Sequence, residues 1–576
     1  MIKMKDFREF FYETSQRYKG LAAFRFKEKG KEIIISYEKF YKDLVNAANA
    51  LFDICGQGNV MLMGKNSYDY VLVLASCLCG AGRLFLVDSN SSVETLKTFL
   101  EETKIDILLV DEKYVIKAEE LRNKTHSLMT YKIEPLRNYH VNDSTFQFQD
   151  YSFGEMRIVF STSGTTQGNK KRVMLSGQAI LNNVLEAHRE SLHEISGEPH
   201  LQLLILPLFH ALASLSALLH ATYAGDSTYI STDSYNVENE LIEIQPHYVF
   251  VVPSIIDYLY RRFEEKRERG EIGELNEYYG KNLFCFLCGG AKINPDTIEK
   301  YSKIGIRVIR GYGMSEAGPI ISLTNLHTES VDWDNMGNVI CHEVNILEDE
   351  ICIRGKNLML GYYLAPELTE ESYIDGWFHT GDRGYIGDNG LIYITGRLKN
   401  VIVLNSGEKV IPEELEEELM KISGIYECAV FTPNDRWINA YVYCRENNSY
   451  SGYIRNEVDK LNQKQPVYKR IREIVIGDMP LPRTSTNKVL RQEILKHIRV
   501  NEICEGIRKI ILDNMYYKIS INFTDDLMEK FEFDSLEICS FVNEIEEQFA
   551  CKMDIDEYLK LHCIWDMGNY IYRLIT

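Results

Sequence analysis

A short loop of hydroxyl residues and glycine is the first part of the sequence whose residue types could do chemistry. Residues 162–166 read T-S-G-T-T, and Lys171 follows a few positions later. Small side chains let backbone amides and hydroxyls surround phosphate oxygens, and a lysine adds positive charge. A loop of this composition is also a common turn, so its interpretation depends on the other motifs of the chain.

A glycine-rich stretch in the second half of the sequence supplies the wider context. It runs from Gly376 to Glu416, about two-thirds of the way along the 576 residues, and contains Asp382, Arg397 and Lys399 at spacings that resemble the adenylate-forming family of acyl and aryl acid ligases. Other segments resemble motifs of that family in the same order along the chain, namely Phe160–Ser176, Leu206–Ala213, Gly311–Glu316, Glu350–Tyr363 and Leu481–Arg491. Six ordered matches are more specific than any single motif. The family couples a carboxylic acid to AMP.

The resemblance implies that ATP is a co-substrate and that Mg²⁺ is bound at the site. Tyr312 would stack on adenine, and Glu316 would bind the cation, because hard cations prefer carboxylate oxygens. Asp382 would accept hydrogen bonds from the ribose hydroxyls, and Ser315 would donate to the α-phosphate. The remaining nucleotide-binding residues that the resemblance implies are Thr162, Ser163, Gly164, Thr165, Thr166, Lys171, Gly289, Gly313 and Arg397.

Three further residues are implied in the chemical steps. Lys488 would bridge the substrate carboxylate and AMP, where negative charge accumulates as the bond forms. Lys399, two residues after the arginine, would be the hinge about which a small domain turns between the two half-reactions. His210 would lie at the acyl pocket, where amino-acid-activating relatives carry an aspartate that pairs with the substrate amine. A fatty or aryl acid without an α-amine is therefore the expected substrate.

The last 76 residues differ from the rest of the chain. They hold 16 acidic and 7 basic residues, and D-S-L at Asp534–Leu536 precedes apolar positions at helical spacing up to Phe549. This pattern resembles an acyl carrier protein, which implies a 4′-phosphopantetheine arm on Ser535. Serine and aspartate are also favoured helix N-caps, so a plain surface helix is the competing interpretation.

Three functions stay open at this point. The chain could load its own carrier domain with the activated acid and pass it to downstream synthase or condensing enzymes. It could instead transfer the acyl group to free CoA. It could also be an inactive ligase that only presents the carrier, because Arg172 and Asn487 stand where the family has glycine, and one residue is inserted near Gln167.

Composition and patterning set the expected architecture. We expect a large α/β adenylation domain at 1–396, a small α+β domain at 397–500 and an all-α carrier-like bundle at 501–576. Within the small domain, we expect strands near Val401–Leu404 and Ala440–Cys444 and an acidic helix near Pro412–Lys421. The net charge of −20 argues against a nucleic-acid partner. The apolar runs Tyr70–Val87 and Leu201–Ala224 are interrupted by glycine, proline or polar residues and predict buried segments rather than membrane spans.

The cysteine pattern and the first residues of the sequence indicate the cellular compartment. The 13 cysteines follow no repeating frame, which is typical of a reducing compartment, and the first residues lack the apolar core of a signal peptide. We therefore expect a cytoplasmic protein. Cys285 and Cys288 form a C-x-x-C pair without a second pair, and we interpret them as core thiols on an apolar strand rather than a zinc or redox site.

Overall fold

A computed structural model gives the fold. It describes residues 4–125, 128–139, 145–148, 152–161, 171–189, 199–231, 236–273, 278–325, 332–444, 451–477, 479–483, 489–513, 521–525, 535–554 and 561–575, without the side chains of 492, 513 and 535–540. The chain divides into two compact units, Met1–Ile394 and Thr395–Thr576. The passage from one to the other falls within a strand, β21 (Ile392–Arg397). The domain boundaries after 396 and 500 stay predictions.

The first unit alternates strands and helices. Its strands are β1 (Ala22–Glu28), β2 (Lys31–Ser36), β3 (Asn59–Met63), β4 (Arg83–Leu86), β5 (Ile107–Val110), β6 (Met129–Lys132), β7 (Met156–Ser161), β8 (Arg172–Ser176), β9 (Leu201–Leu204), β10 (Ser227–Ile230), β11 (Tyr248–Val251), β12 (Cys285–Cys288), β13 (Arg307–Gly313), β14 (Ile320–Leu323), β15 (Asn338–Val339), β16 (Glu343–Leu347), β17 (Glu350–Arg354), β18 (Gly361–Tyr362), β19 (Tyr373–Ile374) and β20 (Trp377–Ile386). Its α-helices are α1 (Phe7–Arg17), α2 (Tyr37–Cys55), α3 (Tyr68–Leu78), α4 (Val93–Glu101), α5 (Val115–Thr125), α6 (Gly177–Ala187), α7 (Leu218–Ala224), α8 (Val237–Ile244), α9 (Pro253–Glu268), α10 (Pro295–Lys303) and α11 (Pro366–Glu371).

Two large sheets organise this unit. One has the strand order β15-β14-β13-β12-β11-β9-β10-β1-β2, and its central strands from β13 to β1 are parallel. The other has the order β18-β8-β7-β4-β3-β5-β6, with antiparallel pairs at β18-β8 and β8-β7. A smaller sheet contains β16, β17, β20 and β19. The large α/β domain expected from the sequence is confirmed.

The residue pattern explains why these elements form. Strands β5, I-L-L-V, and β11, Y-V-F-V, are buried at every position, as parallel strands covered on both faces require. Helices α2, α3, α4 and α6 each begin after a serine whose hydroxyl accepts a hydrogen bond from the backbone amide three residues later.

The apolar runs and the cysteine pair occupy buried positions. Tyr70–Val87 falls mostly on α3 and β4, and Leu201–Ala224 falls on β9, a π-helical turn and α7. Within the described residues, no helix is both long and apolar enough to cross a membrane. Cys285 and Cys288 are buried on β12, where residues three apart point to opposite faces of the sheet. The interpretation as core thiols is confirmed.

The second unit is smaller and mixed. Its strands are β22 (Ile402–Val403), β23 (Lys409–Val410), β24 (Glu427–Phe431), β25 (Ile438–Tyr443) and β26 (Ile471–Gly477), and its α-helices are α12 (Pro412–Met420), α13 (Ser451–Lys464), α14 (Ile494–Asp513), α15 (Ser535–Phe549) and α16 (Ile564–Ile575). Strand β25 lies between β24 and β26 in a three-stranded sheet. The small α+β domain expected here is confirmed.

The last three helices of the described residues share an apolar core of their own. We call α15, α16 and the part of α14 from Val500 onward the helical tail. Its buried side chains include Ile507, Phe541, Ile545 and Ile571. Earlier positions of α14, Ile494 and Ile498, pack instead with Tyr441 of β25 in a separate cluster. One continuous helix therefore joins the sheet of the second unit to the helical tail. That the tail is a carrier domain stays a prediction.

Candidate active site

The carboxyl ends of the central parallel strands bring several predicted residues to one edge of the nine-stranded sheet. Gly289 directly follows β12, and Tyr312 and Gly313 end β13. Ligands of open α/β sheets bind at this edge. A β-carbon added at Gly313 would lie 2.1 Å from the carbonyl oxygen of Pro319, so this position excludes any side chain. At Gly289 the same atom would meet Leu212 at 3.5 Å, an ordinary contact, so packing alone does not demand glycine there.

Asp382 is joined to Tyr312 by a buried hydrogen bond. The Tyr312 hydroxyl donates to Oδ2 of Asp382 at 2.9 Å, and both residues are less than a tenth exposed. The Asp382 amide donates to the Thr380 hydroxyl, and the Gly381 amide donates to Glu350 at 2.7 Å. A buried carboxylate held in this way is preorganised to accept further hydrogen bonds. The structure thus brings together the residues predicted for adenine and ribose.

Glu316 lies on a short 3₁₀ turn, Ser315–Ala317, directly after β13. Its carboxylate is 6% exposed and accepts a hydrogen bond from the Tyr362 hydroxyl at 3.1 Å. Lys171 donates to that same hydroxyl at 3.2 Å, and its ammonium lies 4.6 Å from the centre of the tyrosine ring. Burial and the charge of Glu316 raise the pKa of Tyr362 above its ordinary value, so the hydroxyl keeps its proton.

Tyr362 is a site residue that the sequence analysis did not single out. Its motif, Glu350–Tyr363, was recognised, but no role was given to either tyrosine at its end. The link to Glu316 spans 46 positions of the chain. Strand β18, which carries Tyr362, pairs with β8 directly after Lys171, and the Met359 amide just before this strand donates to the Glu316 carbonyl at 2.8 Å. The only sequence signal was an aromatic pair following a glycine within a recognised motif.

His210 lies in the turn that precedes a π-helical segment, Leu212–Ala217. Its ring centre is 4.1 Å from that of Phe209, and its carbonyl accepts the Ser214 hydroxyl at 2.9 Å. π-Helical turns are rare and occur often at functional sites. Leu212 of this segment is the residue that the position of Gly289 faces, so the predicted acyl-pocket motif and the glycine at the sheet edge are neighbours.

The other predicted residues are in the second unit or outside the described residues. Arg397 ends β21, and Lys399 is exposed on the 3₁₀ turn Leu398–Asn400. Ser535 begins α15, but its side chain is not among those described. The residues that lie outside the described chain are Thr162, Ser163, Gly164, Thr165, Thr166 and Lys488. Their roles stay predictions.

A partly buried ion-pair network occupies the second unit near the predicted hinge. Arg491 donates to Oε2 of Glu416 at 2.7 Å, to Oε1 of Glu413 at 3.3 Å and to the carbonyl of Val430 at 3.3 Å. Oε1 of Glu413 also accepts from the Asn400 side chain at 2.7 Å. The network therefore connects the residue after Lys399 with the residue three positions after Lys488. Arg491 was quoted as the end of a motif, but no role was assigned to it.

Comparisons with known proteins agree with the geometry. A family model described as AMP-binding enzyme matches residues 11–363, and one described as AMP-binding enzyme C-terminal domain matches 399–501. The 2-succinylbenzoate–CoA ligase of Oceanobacillus iheyensis is 26% identical over 76% of this chain and 88% of its own length. The 4-coumarate–CoA ligase 5 of Oryza sativa subsp. japonica is 29% identical over 58% of this chain and 64% of its own length.

A solved structure shares the fold. The o-succinylbenzoate CoA synthetase of Bacillus subtilis, in complex with ATP and magnesium ion, is 20% identical, has a TM-score of 0.70, and matches 84% of this chain and 99% of its own.

Proposed function

Since this chain belongs to the AMP-binding enzyme family, we propose that it activates an aryl or fatty acid as acyl-AMP and transfers the acyl group to free coenzyme A. It is an acid–thiol ligase of the acyl-AMP-forming type. The observation that carries the proposal is a pair of buried carboxylates, Glu316 and Asp382, each of which accepts a tyrosine hydroxyl in the first unit. The relatives named above are CoA ligases, which favours CoA as the thiol.

The first half-reaction makes the acid a better electrophile. A carboxylate oxygen attacks the α-phosphorus of ATP, the bond to the β-phosphate breaks, and pyrophosphate leaves. Asp382 would hold the ribose, and Lys488 would stabilise the charge that develops on the reacting oxygens. The buried oxygens of Glu316 suit Mg²⁺, which would neutralise the phosphates when bound.

The second half-reaction forms the thioester. The thiolate sulfur attacks the acyl carbon, the bond to the AMP oxygen breaks, and AMP leaves with that electron pair. The thiol needs access to the acyl carbon, which the predicted turn of the small domain about Lys399 would give. Because His210 stands where an aspartate would pair with a substrate amine, we propose an acid without an α-amine. The two relatives act on succinylbenzoate and coumarate, so we propose an aryl acid as the preferred substrate, ahead of a fatty acid.

Pyrophosphate release and acyl-CoA formation test this function. The purified chain is incubated with ATP, Mg²⁺, CoA and single acids, including 2-succinylbenzoate, 4-coumarate, a fatty-acid series and an amino acid. We expect pyrophosphate with at least one acid that lacks an α-amine, acyl-CoA by mass spectrometry, and neither product from Asp382→Asn. Pyrophosphate with the amino acid alone would contradict the proposed substrate class, and none with any acid would contradict the activity.

A second candidate acceptor is the chain's own Ser535. The observations that favour it are the separate core of the helical tail and the position of Ser535, the residue expected to carry the arm, on α15. Intact-protein mass spectrometry after phosphopantetheinylation, ATP and the preferred acid, with and without CoA, decides between the acceptors. An acyl mass on the protein that is absent in Ser535→Ala would establish self-loading. Acyl-CoA alone would establish the first proposal.

A further inference from the structure

Three potential metal ligands face one another across two strands of the small sheet in the first unit. Strands β17 and β20 are antiparallel, and Cys352 is the register partner of His379. Glu350 lies two residues before Cys352 on β17, where the register with β20 shifts, and its carboxylate contacts the His379 ring. The three side chains therefore extend from one face of a hydrogen-bonded strand pair, which holds them more firmly than a loop would.

The distances between the donor atoms are close to those between the ligands of a tetrahedrally coordinated zinc ion. Nδ1 of His379 lies 3.6 Å from Sγ of Cys352 and 2.6 Å from Oε2 of Glu350. One donor atom of each residue lies within 4.8 Å of the other two. Zinc bonds of about 2.0 Å to nitrogen and about 2.3 Å to sulfur place those two atoms about 3.5 Å apart. The sulfur–nitrogen pair already has this spacing, and the oxygen–nitrogen pair needs to open by about 0.7 Å.

The surroundings suit a bound ion. Cys352 is fully buried, and the side chains of Glu350 and His379 are 12% and 20% exposed, so the site is sheltered from water yet open on one side. The second oxygen of Glu350 accepts the amide of Gly381 at 2.7 Å, which fixes the orientation of the carboxylate from behind. Such a contact around a ligand is typical of protein metal sites.

We propose that Glu350, Cys352 and His379 form a binding site for a divalent cation of the zinc type. The ligand set of one nitrogen, one sulfur and one oxygen selects a soft or borderline ion over Mg²⁺, which prefers oxygen ligands. The site is therefore separate from the one assigned to Glu316. Three protein ligands leave one tetrahedral position for a ligand from outside this group. The thiol releases its proton when the ion binds.

Cobalt(II) is the probe, because its bond to a thiolate absorbs in the near ultraviolet whereas unbound cobalt does not. The full chain is freed of metal with a chelator and titrated with Co²⁺, and Zn²⁺ is then added. We expect the thiolate band to saturate at one equivalent and to disappear as zinc replaces cobalt. Native mass spectrometry should count one zinc ion, and zinc should raise Tm.

Variants show which side chains bind cobalt and give rise to the thiolate band. Cys352→Ser and His379→Gln should each weaken cobalt binding at least tenfold, and Cys352→Ser should abolish the thiolate band. Cys341→Ser is the matched control, a partly buried cysteine of the same unit, and should bind like the unmodified chain. The near-ultraviolet circular dichroism of each variant reports whether it folds, and His379→Gln keeps all cysteines if Cys352→Ser does not fold. The absence of a band at one equivalent, or its survival in Cys352→Ser, would overturn the proposal.

Discussion

Two tyrosine hydroxyls hold the two carboxylates of the candidate active site. Tyr312 donates to Asp382 and Tyr362 donates to Glu316, all in the first unit. A hydrogen bond to a charged group contributes about 1.5 kcal/mol or more, which corresponds to a factor of about ten in binding. The hydroxyls therefore set how firmly each acid is placed for the ligand that it is expected to hold.

Removing the hydroxyl from Tyr312 tests the first contact. We expect Tyr312→Phe to raise KM for ATP about tenfold with a smaller change in kcat, because the ring is kept while Asp382 loses its fixed donor. Pyrophosphate release at varied ATP measures this. Tyr393→Phe is the matched control, since Tyr393 is a buried tyrosine of the same unit that donates to another acid, Asp332. Equal effects in both variants would contradict a specific role for Tyr312.

Tyr362→Phe tests the contact between Tyr362 and Glu316 by its effect on the Mg²⁺ dependence of the reaction. The change removes the donor to Glu316 and the acceptor of Lys171, so the carboxylate loses its orientation for the cation. We expect the Mg²⁺ concentration for half-maximal pyrophosphate release to rise about tenfold. The neighbouring Tyr363 contacts Asn59 instead, which makes Tyr363→Phe the control. An unchanged Mg²⁺ dependence would show that Tyr362 is only a packing residue.

The sequence predicts the acids of the site better than their partners. Glu316, Asp382 and Tyr312 stand in motifs that are contiguous along the chain, so a resemblance could assign them. Tyr362 and Glu350 acquire their contacts only through strand pairing between segments far apart in sequence. Pairing register depends on the whole sheet and cannot be read from a local pattern.

At the level of elements, helix α12 and strand β25 match their predictions closely, since the strand expected near Ala440–Cys444 is found at Ile438–Tyr443, whereas the first strand of the small domain is shorter than expected. The helix expected over Pro412–Lys421 is found at Pro412–Met420, with proline in its first turn, where the missing amide costs nothing. The strand expected at Val401–Leu404 is reduced to Ile402–Val403, paired only with β23. Such a short hairpin offers few residues for pairing. The apolar run Val401–Leu404 is therefore longer than the strand that forms.

Helix α12 also carries the acids that bind Arg491. Glu413 and Glu416 are partly buried and together accept hydrogen bonds from both terminal nitrogens of the guanidinium. A lysine keeps the charge but cannot form this forked contact. We expect Arg491→Lys to lower kcat for pyrophosphate release at least tenfold with little change in KM for ATP, because the forked contact three residues after Lys488, the proposed adenylation lysine, is lost.

A comparison of the two half-reactions shows whether Arg491→Lys affects only the step that uses Lys488 or disturbs the structure as a whole. Thioester formation from supplied acyl-AMP does not use Lys488 in the proposed scheme, so Arg491→Lys should retain it. Lys421→Arg, an exposed pair with Glu418 beside the same helix, is the control and should leave both steps unchanged. Parallel losses of both steps in Arg491→Lys would make Arg491 a structural residue only.

At the scale of the whole molecule, His497 lies where α14, β25 and α16 meet. Its Nε2 is 3.3 Å from the Tyr441 hydroxyl, and its ring centre is 5.1 Å from that of Trp565. Burial lowers the pKa of His497 to about 4 from its ordinary 6.5. The unfolded chain therefore binds more protons than the folded chain between these two values, and stability falls as pH falls through this window.

Unfolding experiments at several pH values measure this effect. We expect the second unit to lose roughly 2–4 kcal/mol as pH falls from about 6.5 to about 4 through this residue alone. Denaturant unfolding of the full chain, followed by tryptophan fluorescence, reports the change. The pH dependence should be reduced in His497→Gln and unchanged in His562→Gln, which alters an exposed histidine two residues before α16. An identical pH dependence in all three proteins would contradict the assignment.

Helix α14 has a consequence for any partner protein. A separate domain on a loose linker could be bound by a partner without any effect on the enzyme. Here the helical tail continues from the helix that packs on β25, so a turn of the second unit about Lys399 would carry the tail with it as one body. A partner that binds the tail more tightly in one orientation would then shift the balance between the two half-reactions, and by thermodynamic reciprocity bound acyl-AMP would alter the affinity for that partner.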